Sequence, residues 1–374
     1  MACADENGAY ILGTTIIQSP GLQSMKTERT DLKGLSRQDL EAFVHQLGWP
    51  RYRSDQIFAW IYRRGVNDFD AMTDLAREHR LQLERSARVS SLTLGRRAVS
   101  RIDGTEKYLF SLEDGERIES VLIKDGRRRT VCLSTQVGCG LGCAYCATGE
   151  LGLKRDLRAA EIVDQVIFAR RQLPSGEDVT NVVLMGMGEP LHNYRETITA
   201  CRLMNDPDGL AIGARKITLS TAGVVPGIER LAEETLRCGL AISLNATTDR
   251  VRDRLIPLNR TYPLQEVVRS ARQYARAIGR AVTFEYVLID GINDTADDAR
   301  RLAEIVRGIP CKINLIPYNP VPGKSFRRPD RGRIEQFMKW LYPQCPTVTL
   351  RESRGPDIQA ACGQLRAEAD TREE

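Results

Sequence analysis

The sequence predicts an α/β fold with a small helical domain in front of it, and three observations carry that prediction. From about residue 130, strand-like runs (TVCLSTQ, TNVVLM, RKITLS, LAISLN, VTFEYVLI, KINLIP) alternate with helical segments near 159–172, 194–204, 226–237, 263–279 and 295–307. Six such β/α units imply a parallel sheet with right-handed crossovers, either barrel-like or doubly wound. Just upstream, KYLFSL, RIESVLI and TVCLSTQ are separated by EDGE and KDGRRR, each with an Asp-Gly turn, which reads as an antiparallel meander feeding that sheet. Before residue 100 the apolar period is helical instead.

The elements follow in order. Residues 1–27 lack periodicity and are expected to form a flexible tail. Ser36 with Asp39 is a capping arrangement for a helix carrying Leu40, Phe43, Val44 and Leu47 at helical spacing. Ser54 is expected to cap a second helix with Ile57, Phe58, Trp60 and Ile61 on its buried side, and a third is expected through Met72, Leu75 and Ala76. Trp49, Tyr52, Phe58, Trp60, Tyr62 and Phe69 are interleaved with Arg51, Arg53, Arg63 and Arg64, which reads as the core of a small domain with a basic face. Residues 28–100 are thus a helical basic accessory domain, 101–130 an antiparallel β extension and 131–355 the α/β domain. Further helical residues near 330–341 and a strand TVTLRES fall within it. Residues 356–374 are a C-terminal segment ending in an acidic tail.

With 374 residues, 42% hydrophobic and 28% charged, the chain can bury a sizeable core and is not a disordered polymer. No apolar run approaches the roughly 18 residues of a membrane helix. The start, MACADENGAYILGTTIIQSPG, has no basic run before its apolar stretch, so a secretory signal is not expected and the cytoplasm is the expected compartment. The net charge is +5, and residues 51–101, with eleven Arg against six acids, carry a surplus of that size. Arg pairs with phosphate and stacks on bases, so this segment is the expected nucleic-acid contact, although a GC-rich genome would raise Arg content as well.

Ten Cys and three His make thiolate the expected ligand chemistry. Cys139, Cys143 and Cys146 are spaced C-x3-C-x2-C in the loop after the first strand of the α/β domain, among Gly138, Gly140, Gly142 and Gly149. Three thiolates leave a tetrahedral zinc one ligand short, whereas a cubane iron–sulfur cluster held by three Cys keeps one iron open for a substrate. A zinc knuckle with a distant fourth ligand is the competing reading. An isolated Cys is ordinarily an inert core residue, and Cys3, Cys201, Cys238, Cys311 and Cys345 are read that way. Cys132, on the strand feeding the cluster loop, and Cys362, in the glycine-bounded SRGPDIQAACGQL, stand out by position.

CGLGCAYC resembles the cluster motif of radical S-adenosylmethionine (SAM) enzymes, and GMGEP (186–190) is similar to their glycine-glutamate element. TVCLSTQVGCGLGCAYCATGELGL, MGMGEPLHNY, ITLSTAGVVPGI, ISLNATTDRVRDRLIPLNR, INLIPYNPVPG and RGPDIQAACGQL, in this order, resemble the rRNA and tRNA adenine-C2 methyltransferases over roughly residues 30–366. That resemblance implies an incomplete (β/α)6 radical-SAM barrel over 131–355, a 4Fe–4S cluster on the three Cys, and two molecules of SAM per turnover. It implies that Cys362 takes a methyl group from one SAM and that a 5′-deoxyadenosyl radical from the second activates this methyl for addition to adenine C2. It implies that Cys132 releases the product through a transient disulfide, and that Glu119 is the acid/base; on its own pattern Glu119 reads equally as a solvated strand residue. Gly188, Glu189, Ser220, Ser243, Leu244, Asn245 and Asn319 match SAM-contacting positions, with Asn245 standing where many relatives have His. The implied partners are 23S rRNA, tRNA and an electron donor such as flavodoxin, with a monomer expected and no membrane association. Methylation at carbon 8 of the same adenine, and a non-catalytic zinc-knuckle RNA-binding protein, are the alternatives.

Overall fold

The computed structural model describes residues 29–345 and 347–367, so the tail expected over 1–27 and the chain end beyond 367 lie outside the described residues. The N-terminal unit runs β1 (Thr30–Asp31), α1 (Arg37–Gln46), α2 (Tyr52–Phe58), α3 (Arg77–Ser86) and β2 (Ala87–Arg88), with β1 and β2 paired in parallel. Ser36 caps α1 as expected: its backbone is extended and its hydroxyl accepts from the Asp39 N–H at 3.1 Å. Ser54 does not cap α2. The chain is already helical at Arg51, so Ser54 lies inside the helix, buried, and donates to the Arg51 carbonyl at 2.6 Å. The third helix starts only at Arg77; Met72 and Leu75 reach the core from the loop before it, which gave them an apolar spacing without a helix. Five of the six clustered aromatics are buried, while Tyr52 is exposed beside the Arg53 guanidinium.

Next come four antiparallel strands, β3 (Thr93–Val99), β4 (Glu106–Ser111), β5 (Arg117–Asp125) and β6 (Arg128–Cys132). β3 is absent from the sequence reading because its residues are nearly all exposed and show no apolar alternation. The run TVCLSTQ also divides. β6 ends at Cys132, and Gln136 opens β7 (Gln136–Cys139), which forms a separate ribbon with β8 (Gly152–Asp156). The reason is local: the Leu133 carbonyl accepts from the Gly186 N–H and the Thr135 N–H donates to the Met187 carbonyl, so the glycine-rich loop takes up the backbone groups a longer strand would have used.

The β/α alternation then runs α4 (Ala159–Arg171), β9 (Asn181–Leu184), α5 (Tyr194–Asn205), β10 (Ile217–Thr221), α6 (Val225–Glu233), β11 (Gly239–Ser243), α7 (Asp249–Leu255), α8 (Leu264–Ile278), β12 (Val282–Leu288), α9 (Ala296–Val306), β13 (Cys311–Pro317), α10 (Arg331–Leu341) and β14 (Val348–Leu350). Sheet order is β14-β13-β12-β11-β10-β9-β6-β5-β4-β3. The pairs from β6 to β14 are all parallel, and the two ends of the sheet do not meet, so the barrel is incomplete. Six parallel strands match the six expected units and β14 adds a short seventh. Among the described residues no helix is long and apolar enough to cross a membrane.

A buried ion pair locks the N-terminal unit onto α4. Lys33 Nζ lies 2.5 Å from Asp164, both side chains almost fully enclosed, and the other Asp164 oxygen accepts from the Leu92 N–H at 2.7 Å. Gly34 beside it has φ +98°, and a Cβ there would sit 2.7 Å from the Ala160 nitrogen, so close approach needs glycine. Removing one partner of such a pair leaves an uncompensated charge. Lys33→Met is therefore expected to lose about 3–5 kcal/mol of stability in urea unfolding, against near-neutral change for the exposed Arg331→Ala.

Candidate active site

The C-terminal ends of the parallel strands open into a cavity. Strand register explains who lines it. Ser243 on β11 pairs with Glu285 on β12, and Ser220 on β10 is one residue from the end of its strand, so all three face the cavity. Cys139, Cys143 and Cys146 form the opposite wall. Their loop turns on itself tightly: a Cβ on Gly149 would lie 3.0 Å from both the nitrogen and the carbonyl of Cys143. Burial pushes the Cys139 thiol up to about 11 and the Cys143 thiol higher still, so thiolates here require a cation to face. Among the described residues no three His, Cys, Asp or Glu side chains converge as ligands of one metal ion. A cubane asks something different, since each thiolate takes its own iron, and a soft three-thiolate set on a glycine loop at a cavity wall fits such a cluster.

The glycine-glutamate element packs against the base of that loop. A Cβ on Gly186 would sit 2.6 Å from the Leu133 carbonyl oxygen, and Gly188, at φ +101°, leaves 2.6 Å to the Gln136 Cβ. Glu189 is buried; its carboxylate accepts from the Ala222 N–H at 2.8 Å and the Leu191 N–H at 3.1 Å. Desolvation nevertheless raises its pKa to about 7, because the carboxylate faces a cavity without a cation partner.

Asn245 is one of few non-glycine residues at positive φ, +55°. Its Nδ2 donates to the Tyr145 hydroxyl at 2.7 Å and its Oδ1 accepts from the Val287 N–H at 2.8 Å. The side chain thus ties the cluster-loop aromatic to β12, a bridge that needs an acceptor and a donor at once, and Asn supplies both. Leu244 differs from its neighbours: it is fully buried behind the cavity wall and does not line it.

Arg252, which the sequence reading did not single out, is fully buried beneath this wall. It donates to the carbonyls of Leu244, Ser243 and Ala222 and to Asn259 Oδ1, joining the loops after β10 and β11. Nothing in its sequence context separates it from the other arginines of DRVRDR; only its burial marks it.

Cys362 reaches the cavity from the far end of the chain. Its carbonyl accepts from Asn319 Nδ2 at 3.1 Å, the Gly363 carbonyl accepts from the Ala147 N–H at 2.8 Å, and Thr148 Oγ1 donates to the Leu365 carbonyl at 2.6 Å. Cys362 also lines a second, smaller cavity together with Cys132 and Arg351. Both thiols are free. Burial pushes Cys132 up to about 12, with Cys362 raising it further and Arg351 opposing; burial raises Cys362 too, again against Arg351.

Glu119 is neither solvated nor in either cavity. It is buried on β5, pairs with Lys107 Nζ at 2.9 Å and accepts from the Arg366 N–H at 2.8 Å, so it holds the C-terminal segment from beneath. Of the Cys read as inert, Cys201, Cys238 and Cys345 are buried and Cys311 partly so, while Cys3 lies outside the described residues.

Comparison with known proteins agrees with this arrangement. Residues 30–89 match the ribosomal RNA large subunit methyltransferase N-terminal domain, and residues 133–303 match the radical SAM superfamily. The chain is 47% identical to the dual-specificity RNA methyltransferase RlmN of Pelobacter propionicus, over 92% of this chain and 98% of that one. It is 49% identical to the RlmN of Geobacter sulfurreducens, over 91% and 93%. A crystal structure of a radical SAM methyltransferase from Sphaerobacter thermophilus superposes with a TM-score of 0.87 at 47% identity, covering 91% of this chain and all of that one. With relatives this similar along nearly its whole length, the chain belongs to the RlmN family of radical SAM RNA methyltransferases.

Proposed function

We propose that the protein methylates carbon 2 of an adenine in 23S rRNA, and of the adenine beside the anticodon in tRNA, with Cys362 as the methyl carrier and Cys132 as the resolving thiol. The observation that carries this reading is that Cys362 lines both cavities, the one with the three-Cys loop and the one with Cys132. A bound 4Fe–4S cluster with SAM would supply a 5′-deoxyadenosyl radical, fed by an external one-electron donor of the flavodoxin class.

In this reading Cys139, Cys143 and Cys146 hold the cluster, and SAM lies along Gly188, Glu189, Ser220, Ser243, Asn245 and Asn319, with Leu244 buried behind that wall. Glu189, already oriented by two backbone N–H groups, offers its carboxylate to the SAM ammonium. The Cys362 thiolate displaces the methyl group from one SAM, leaving a thioether and S-adenosylhomocysteine. Adenine C2 is not nucleophilic, so the methyl carbon must reach it as a radical, and the adduct, which joins protein to RNA through Cys362, gives up the C2 proton and returns one electron to the one-electron carrier before release. Cys132 then attacks the Cys362 sulfur. The S–S bond forms as the bond from sulfur to the adenine methylene breaks, and the electron pair leaves on carbon, which takes a proton to become the methyl group. Glu119, the proposed acid/base, lines a third groove with Lys107 and Gln364, beside the segment that carries Cys362. The basic N-terminal domain, with Arg127 of the β5–β6 turn and Arg128 at the start of β6, grips RNA phosphate; Arg129 is engaged by Glu177 at 2.6 Å.

Three measurements test this reading. The mass and retention of the modified nucleoside from rRNA should be those of 2-methyladenosine, and 8-methyladenosine would replace the assignment. Cys362→Ala should lose all methylation while keeping iron and sulfide, whereas Cys132→Ala should accumulate a covalent protein–RNA adduct; a fully active Cys132→Ala would remove its role.

The third follows from Glu189. Its folded pKa lies above the ordinary carboxylate value, so the ligand-free protein loses stability as pH rises through about 7, and a cation in the cavity restores it. Below that pH the carboxyl is neutral and attracts no ammonium. SAM affinity, by calorimetry, should be flat above pH of about 7 and fall about tenfold per unit below it, with Glu189→Gln weak at every pH.

A further inference from the structure

Arg351 follows the last residue of β14, and its N–H still donates to the Leu315 carbonyl at 2.9 Å, so its backbone stays in register with the sheet. It lines the smaller cavity shared by Cys132 and Cys362. One guanidinium nitrogen, Nη1, lies 3.5 Å from Glu285 Oε1 and 3.6 Å from the Met185 sulfur. Glu285 is buried on β12 and also faces the larger cavity, so the ion pair is set into the wall between the two.

The charged groups around Cys132 are few. Arg351 favours its thiolate, while Cys362 and Glu285 oppose it. Arg354, on the same rim, is held by Asp125 at 3.0 Å, and Glu352 is largely exposed. Cys362 faces the same guanidinium, with Glu285 and Cys146 opposing. Two thiolates beside one cation repel each other. A thioether at Cys362 carries no charge, so once that sulfur is alkylated the cation is left to Cys132 alone.

We infer that Arg351, oriented by Glu285, is the positioning residue that holds the Cys132 thiolate for its attack on alkylated Cys362, so that the resolving thiol is activated only after the carrier is loaded. This rests on the proposed roles of the two cysteines. It gives the resolving step a reason for its order, since premature ionisation of Cys132 would favour a disulfide that disables the carrier. Arg suits the task because it stays charged in a partly dry cavity and its planar fork can meet a carboxylate and a sulfur together.

The test uses anaerobically reconstituted holoenzyme in which Cys362 has been methylated by SAM in the absence of RNA. Alkylation of Cys132 by iodoacetamide, read from the mass of its peptide, should slow about tenfold in Arg351→Gln at neutral pH and be largely restored in Arg351→Lys. With an rRNA fragment, Arg351→Gln should load methyl and form the covalent adduct yet release it about tenfold more slowly than wild type at each pH, with both rates rising about tenfold per pH unit between about 7 and 9. Equal Cys132 alkylation rates in wild type and Arg351→Gln would overturn the inference. So would an adduct defect that Arg351→Lys shares, which is the mark of a structural role. A wild-type enzyme that makes no 2-methyladenosine would instead defeat the reading of the reaction, and the alkylation rates would still decide the role of Arg351.

Discussion

The arrangement at the barrel mouth depends on where the backbone around Cys362 is held. This residue comes from the end of the chain, more than two hundred positions from the cluster loop, and no strand or helix contains it. Its place is set by hydrogen bonds from Asn319, Ala147 and Thr148 into the carbonyls of 362, 363 and 365, and from below by Glu119 accepting from the Arg366 N–H. Upstream, Asp357 accepts from Ser100 and the Arg101 N–H, and Asp103 from the Gly355 N–H, so the turn after β3 holds the other side. The antiparallel extension therefore does more than lead into the barrel. It serves as the bench to which the Cys362 segment is bolted.

That constraint gives the open barrel a purpose. A closed eight-stranded barrel fills its lumen with side chains. Here the sheet is left unclosed between β14 and β3, and Met185, Glu285 and Arg351 stand in the lumen as polar or soft groups between two cavities. Strand register places Ser220 and Ser243 at one end, loop hydrogen bonds place Glu189 and Asn245 beside them, and Arg252 secures the loops after β10 and β11 through four acceptors. Such a buried guanidinium costs desolvation, which its carbonyl partners offset, and it makes the site's floor a single unit.

Much of this was legible in the sequence, for identifiable reasons. Buried parallel strands are apolar runs and amphipathic helices repeat every three or four residues, so the alternation could be read directly, as could a cysteine triplet set among glycines. What was hidden depends on contacts between distant residues. Ser54 looks like a cap until Pro50 and Arg51 are seen to have turned the chain already. The surplus of +5 in residues 51–101 looks like a free basic face, yet Arg88 pairs with Glu113 and Arg97 with Glu106, acids outside the segment. Local charge counting cannot see partners that only folding supplies.

The same blindness applies to Arg351 and Glu119, with opposite outcomes. Glu119 sits in a strand of alternating pattern and reads from that pattern as a solvated strand residue; the structure buries it against Lys107 and the C-terminal backbone. Arg351 sits in TVTLRES, where an arginine after an edge strand ordinarily points to solvent. Parallel pairing of β14 with β13 turns it inward instead, toward Glu285. A charge in a half-dry cavity persists only where partners compensate it, and here one carboxylate and two thiols share a single cation. At most one of those sulfurs can be anionic beside it at low cost, so in the proposed reaction whichever cysteine carries the neutral sulfur leaves the cation to the other.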